Sequence, residues 1–258
     1  MILPPRSLLL TGLFLAAPAS PQGPAGAPPP GDLPALLSRV DAGWRVRDEP
    51  GRLDEERALL EKAEALAPND YGVLWRMARH YFWISDDDAL PDAEKSKLGK
   101  KAWDYGDRAA AVNPAGVEGW YFAAVGMGNY SLGIGILKAL GDGIEGKFRE
   151  RLSKAEKIDP RFSEGGVYNA WGRFYYKLPW PKYDARRSEQ SLQKALQTNP
   201  ENVRARVYLA ELYMKEKHPK EARALLEEAA AHQPGSYDAP EERRSQARAK
   251  ELLAERKR

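Results

Sequence analysis

Several groups of residues in this sequence have the types, and in part the spacing, that chemistry requires. Gly141-Asp142-Gly143-Ile144-Glu145-Gly146-Lys147 reads G-x-x-x-x-G-K, the frame of a phosphate-cradling loop. The next position, where a Ser or Thr hydroxyl would hold magnesium, is Phe148, and the preceding segment has a helical pattern rather than that of a buried strand. Nucleotide binding is therefore not expected. Ser191 and Lys194 form an S-x-x-K pair, but K-T-G and S-D-N companions are missing and the pair falls mid-helix on a polar face. His80, His218 and His232 are the only histidines and belong to no ligand pattern such as H-E-x-x-H. His80 is expected half-buried beside Tyr81, the other two at the surface. Asp86-Asp87-Asp88 could attract a cation, yet lacks the glycine and distal glutamate of a calcium loop and reads as a solvated loop. There is no serine elbow and no G-x-G-x-x-G. No catalytic residue, metal or cofactor is assigned, and a non-enzymatic role is expected.

A different kind of site is suggested by glycine and aromatic residues. Between Val125 and Gly146 stand seven glycines in an otherwise apolar stretch. Leu132, Ile134 and Ile136 alternate with glycine as in a strand, but Tyr130, Ile134, Leu137 and Ile144 follow helical spacing and no partner strand is available, so helix is expected. Glycine costs a helix about 1 kcal/mol relative to alanine, so seven of them imply that something approaches the backbone closely. It is either a neighbouring helix or the contents of a narrow apolar cavity. For the second case the candidate ligand-contacting residues are Trp75, Trp120, Tyr121, Tyr130, Ile134, Leu137, Trp171, Tyr175 and Trp180.

The elements that position these residues are legible from a repeat. Pro68, Pro114, Pro160, Pro200 and Pro234 are spaced by 46, 46, 40 and 34 residues, the last being the period of the tetratricopeptide repeat. Five residues before each stands an alanine: Ala63, Ala109, Ala155, Ala195 and Ala229. Eight before stands Leu60, Leu152, Leu192 or Leu226, with Gly106 the exception. From Val203 the repeat is complete: Leu209, Ala210 and Tyr213 in the first helix, then Ala222, Leu226, Ala229 and Pro234. Met77-Ala78 with Tyr81, and Ala123-Ala124 with Met127, align in the first helices of other units. Trp171-Gly172 with Tyr175 fits after a two-residue slip. The small residue lets the second helix approach, and the proline ends it. The expected fold is thus all-α: a tetratricopeptide-like helical-hairpin solenoid with an enlarged second unit. Leu33–Arg47 and Leu53–Leu66 open it, loops fall at 85–92 and 177–184, and a polar capping helix at Pro240–Arg256, its basic face solvated, closes it.

At the N-terminus, Arg6 precedes an apolar run from Leu8 to Ala17 and the small residues Ala17-Pro18-Ala19, the layout of a cleaved leader over residues 1–19. The run is shorter than the roughly 20 residues a membrane-spanning helix needs. Residues 20–31, rich in Pro, Ala and Gly, read as a flexible segment before a helical domain at 32–258. The chain has no cysteine, hence neither disulfide nor lipid attachment after the leader, and a soluble periplasmic protein is expected. Its net charge of +3 is too balanced to point to nucleic acid.

The sequence resembles the T-component (TatT-type) proteins associated with TRAP transporters. The resemblance lies in Ala42-Gly43-Trp44-Arg45-Val46-Arg47-Asp48-Glu49-Pro50, in Pro114-Ala115-Gly116-Val117-Glu118-Gly119-Trp120-Tyr121, in the glycine-rich apolar segment and in Gly172-Arg173-Phe174-Tyr175-Tyr176-Lys177-Leu178-Pro179-Trp180-Pro181. It covers roughly Asp32 to Ala231. It implies a periplasmic adaptor that self-associates, pairs with a periplasmic solute-binding protein and handles an apolar or organic-acid ligand. Such proteins are often lipoproteins, and this chain lacks the cysteine. The alternative reading is a general protein–protein interaction scaffold that holds a peptide or partner in its concave groove. An enclosed apolar cavity walled by the glycine segment favours the first; an open polar groove favours the second.

Overall fold

The computed structural model describes residue 1 and residues 32–255. The leader beyond residue 1 and the whole flexible segment at 20–31 lie outside the described residues. Within them the chain is all-helical, without a strand. Five helical hairpins follow one another. They are α1 (Leu33–Trp44) with α2 (Arg52–Leu66), α3 (Tyr71–Ser85) with α4 (Asp92–Val112), and α5 (Val117–Ile134) with α7 (Ile144–Ile158), joined by the short α6 (Ile136–Gly141). Then come α8 (Phe162–Lys177) with α9 (Ala185–Thr198) and α10 (Val203–Lys215) with α11 (Pro219–Ala231). A terminal α12 (Ala239–Glu255) packs on α10 and α11. No helix among the described residues is long and apolar enough to cross a membrane.

The repeat alanines and prolines act together at the helix ends. Ala67, Asn113, Asp159 and Asn199 each precede a proline and sit at φ −146°, −132°, −148° and −139°, outside the helical region. A residue before proline is pushed there by the ring. Each still donates its N–H to the carbonyl of the repeat alanine four residues back, Ala63, Ala109, Ala155 or Ala195. Those alanines, with Ala229, have no exposed surface. Leu60, Leu152, Leu192 and Leu226 are buried beside them. At the opposite ends, the side chains of Asp70, Asp184 and Asn202 accept hydrogen bonds from the backbone N–H of Val73, Arg187 and Ala205, the usual capping geometry.

Gly106 replaces the repeat leucine because α4 and α5 pack backbone to backbone. A Cβ at Gly106 would lie 2.4 Å from Ala123 N. The same closeness recurs at Gly99 against Tyr130 N, Gly119 against Ala110 N, Gly126 against Trp103 N and Gly133 against Ser96 N, all at 2.5–2.6 Å. Two glycines seven apart on α4 thus face three seven apart on α5. Two of the seven glycines between Val125 and Gly146, Gly126 and Gly133, therefore serve helix packing. Gly135 and Gly143, at φ +90° and +71°, break the segment into three helices where continuous helix is the sequence expectation.

Four further expectations are corrected. His232 is not a surface residue: its ring nitrogen lies 2.9 Å from the Glu242 carboxylate, and 7 % of its side chain is exposed. The basic face of α12 is solvated only in part, Arg243 and Lys250 being exposed. Arg243 pairs with Asp48, Arg244 lies 3.4 Å over the Trp83 ring, and Arg248 reaches Glu211. His80 is fully rather than half buried, edge-on to Tyr81 and 3.2 Å from Glu56. Asp86 is not part of a solvated loop, being paired with Arg204 at 2.7 Å.

Candidate chamber on the inner face

The first helices of the hairpins, together with α6, α7 and α12, line a half-open cavity of about 430 Å³. One wall is aromatic and aliphatic. Trp75 stacks on Phe122 with ring centroids 6.3 Å apart, Phe162 stands edge-on to Tyr121, and Phe148 lies parallel to Phe174 at 4.7 Å. Helical spacing aims them inward: Tyr121, Phe122 and Val125 share one face of α5, and Ile144 and Phe148 one face of α7. The glycine segment contributes Gly128, Leu132, Ile136, Ala139 and Leu140.

The other end is polar. Arg173 and Lys177 lie one turn apart on α8, and Arg204 and Tyr208 one turn apart on α10. Arg204 is neutralised twice, by Asp86 at 2.7 Å and Glu241 at 2.5 Å. Arg173 is neutralised by Glu211. Lys177 has no ion pair among the described residues, and burial together with the Arg173 charge lowers its pKa to about 8. Burial pushes Tyr208 up to about 12 and Tyr121 higher still, so both are neutral phenols. Asn169 gives one N–H bond to Asn202, while its own carbonyl oxygen has no partner among the described residues. The chamber can therefore hold an apolar body and, at one end, a single negative charge.

A row of alternating rings and guanidinium groups borders the chamber. Arg76 lies over Trp75, Arg79 between Trp75 and Trp44, Arg47 between Trp44 and Trp83, and Arg244 over the other side of Trp83, at 3.4–4.9 Å. Cation–π contacts of this kind strengthen when desolvated. The chamber's rim carries backbone strain. Ser163 and Glu164, before Gly165, lie at φ +54° and +53° in the left-handed region, just upstream of the two-residue slip in the repeat.

Of the nine candidate residues, Trp75 and Tyr121 line the chamber. Ile134 packs partly buried beside it and Tyr130 stands edge-on to Trp103. Trp120 bonds the Pro114 carbonyl, Trp171 bonds Glu156 while stacking on Tyr175, and Leu137 and Trp180 are 76 % and 88 % exposed. The unpaired Lys177 and its neighbour Arg173 fall within the quoted Gly172–Pro181 stretch, where their four-residue spacing could have marked them. Among the described residues no group of three or more metal-ligating side chains occurs.

The profile of the family described as "Regulator of microtubule dynamics protein 1-3" matches residues 47–180, just over half of the chain. The chain belongs to this family. That stretch of the family runs from the end of α1 to the end of α8 and supplies most of the chamber. A tetratricopeptide repeat profile matches residues 183–255. Among solved structures, TTC0263, a thermophilic TPR protein of Thermus thermophilus, aligns at a TM-score of 0.64 and 21 % identity, over 85 % of this chain and 99 % of that one. MamA aligns at 0.46 and 14 %, over 78 % and 97 %; YrrB, a TPR protein with an unusual peptide-binding site, at 0.43 and 10 %, over 87 % and 93 %. No curated protein matches. The tetratricopeptide-like solenoid expected from the repeat is thus the fold. The family shown is the regulator family; no match bears on the transporter-associated family that the sequence resembles.

Proposed function

We propose that this member of the family is a non-catalytic scaffold that receives an apolar, acid-bearing segment of a protein partner in its inner chamber. The observation that carries it is the pairing of an aromatic wall with one uncompensated cation, Lys177. A partner carboxylate set against Lys177 gains a charge-assisted hydrogen bond in a site shielded from water, while its apolar side chains fill the ring-lined part. The other charged groups at the polar end are already satisfied by one another, as a positioning framework requires and as a proton-transfer centre does not. The family's description, regulators of microtubule dynamics, likewise denotes action through another protein. With the leader cleaved, the chain works outside the cytoplasm; an exported chain does not meet microtubules, so its partner is a different one.

Titration calorimetry with short apolar peptides tests this. A free C-terminal carboxylate is expected to bind at least about ten-fold more tightly than the amidated peptide, the worth of one charge-assisted bond. Lys177→Met is expected to erase that difference. Equal binding of both peptides to the unaltered protein would refute the role given to Lys177.

A second reading is supported by the chamber's size: about 430 Å³ lies within the roughly 300–1,000 Å³ of small-molecule sites. In that reading the occupant is a free organic acid with an apolar body, exchanged with a periplasmic solute-binding protein. Native mass spectrometry of the gently purified protein distinguishes the two. A retained small acid favours the second reading, and the same spectrum reports the leader's removal and any self-association.

A further inference from the structure

In a helical solenoid each repeat touches its neighbours, and the two ends need not meet. Here they do. Arg243 on α12 clasps the Asp48 carboxylate after α1 with two bonds, of 2.5 and 2.9 Å. Arg47 reaches Asp238 at 2.7 Å, and Arg204 on α10 reaches Asp86 after α3 at the same distance. Arg244 donates to the Trp83 carbonyl at 2.9 Å while lying on that ring. These contacts join positions 118 to 195 residues apart. They are all polar or cation–π. The apolar core at this end of the fold, built around Leu36, Val40 and Leu60, shares no residue with the one built around Val203, Leu226 and Leu252.

The seam is also thin. On its outer side lies a second hollow of about 910 Å³, bordered by Asp48, Asp87, Arg243 and Ala247. Arg47, Trp83 and Asp86 border both this hollow and the inner chamber. A single layer of side chains therefore separates the chamber from the outside. Parting it exchanges ion pairs for hydrated charges. The Arg243–Asp48 pair is partly exposed and weak, and for the buried Arg47 and Arg204 pairs regained hydration offsets the lost attraction. The two apolar cores at these ends share no residue.

We propose that this seam is a gate to the half-open chamber from its second side: α12 swings away from the α1–α2 turn and the end of α3, joining the two hollows and admitting the occupant. The occupant's identity rests on the binding reading; the motion does not. Ionic strength favours the motion through the partly exposed Arg243–Asp48 pair, the buried pairs at Arg47 and Arg204 being screened much less.

Because the chain has no cysteine, positions can be labelled singly. Spin labels on Glu55→Cys and Lys250→Cys, both exposed, report the distance across the seam by pulsed electron resonance. One short distance is expected at low salt, and a second, longer population at high ionic strength or with Arg243→Glu. The exchanged pair D48R/R243E is expected to restore the single short distance. The same short distance under every condition would overturn the gate. Stopped-flow entry of 8-anilinonaphthalene-1-sulfonate, an apolar aromatic with one negative charge, tests passage. Arg243→Glu is expected to speed entry about two- to five-fold, the equivalent of one partly exposed ion pair. A dye that binds at an unchanged rate while the labels separate would overturn the seam as the route of entry. A dye that does not bind would count against the chamber as a site, leaving the labels to decide the motion.

Discussion

Gly106→Ala should destabilise the protein even though alanine is the better helix former. The new Cβ would lie 2.4 Å from Ala123 N, 2.7 Å from its Cα and 2.8 Å from its Cβ. None of these atoms can swing aside by changing a rotamer, so α4 and α5 must separate. Their separation is resisted by four other glycine contacts of the same kind, at Gly99, Gly119, Gly126 and Gly133. Overpacking costs about 1–3 kcal/mol, and the rigid target places this case at the upper end. Against it stands a helix-propensity gain of about 1 kcal/mol. The net loss is about 2 kcal/mol, or a melting temperature lower by about 4–8 °C for a domain of this size. Thermal unfolding followed by circular dichroism measures it. Gly128→Ala is the control, because its Cβ would meet only Phe148 Cε2, at 3.6 Å. It should melt about 2–4 °C higher, the propensity gain standing alone. If Gly106→Ala melts as high as the unaltered protein, the backbone contact between α4 and α5 is wrong.

Acid sensitivity should map to Glu242. Burial works to raise its pKa, but the N–H groups of Tyr237, Gly235 and Asp238 and the His232 ring outweigh it and hold it at about 2. The unfolded chain therefore binds more protons, so this contribution is present above the ordinary carboxylate range and is lost as pH falls from there towards 2. Urea unfolding should show Glu242→Gln weaker by about 1.5–3 kcal/mol at neutral pH, with the difference shrinking on acidification. Lys177 acts in the same direction, but in the alkaline range. Its pKa is lowered to about 8 from 10.5, so folding stability should rise with pH between these values while affinity for a carboxylate falls; Lys177→Met should flatten both. Glu164→Gly should raise stability by about 1 kcal/mol by relieving a left-handed non-glycine residue, as denaturant unfolding can show.

The hairpins could be read from sequence because their signals are local. A proline fixes the residue before it, and the alanine five residues earlier supplies the carbonyl that ends the helix; both lie within two turns of the same chain. Gly106 reads as a lapse in the repeat until its contact with Ala123, 17 residues on, explains it. The chamber was legible only in part. Trp75 and Tyr121 stand out as aromatics, but which face of a helix turns inward depends on the curvature of the whole stack. Trp120, beside Tyr121, thus ends up bonded to a loop carbonyl instead. The seam was not legible. Arg243 and Asp48 are ordinary charges in polar stretches, and nothing near either one in sequence signals a partner 195 residues away.

The row from Arg76 through Trp75, Arg79, Trp44, Arg47 and Trp83 to Arg244 has a consequence for how this sequence can vary. In it, each arginine spreads its charge over a broad group within 4.9 Å of one or two ring centroids. Lysine preserves the charge but concentrates it at one point, so an Arg47→Lys exchange that any substitution table scores as conservative would not serve both Trp44 and Trp83, whose rings stand edge-on at 73° with Arg47 in the corner. Drift at these four arginines is therefore restricted to changes that keep a planar group, and the row should vary as a block rather than residue by residue.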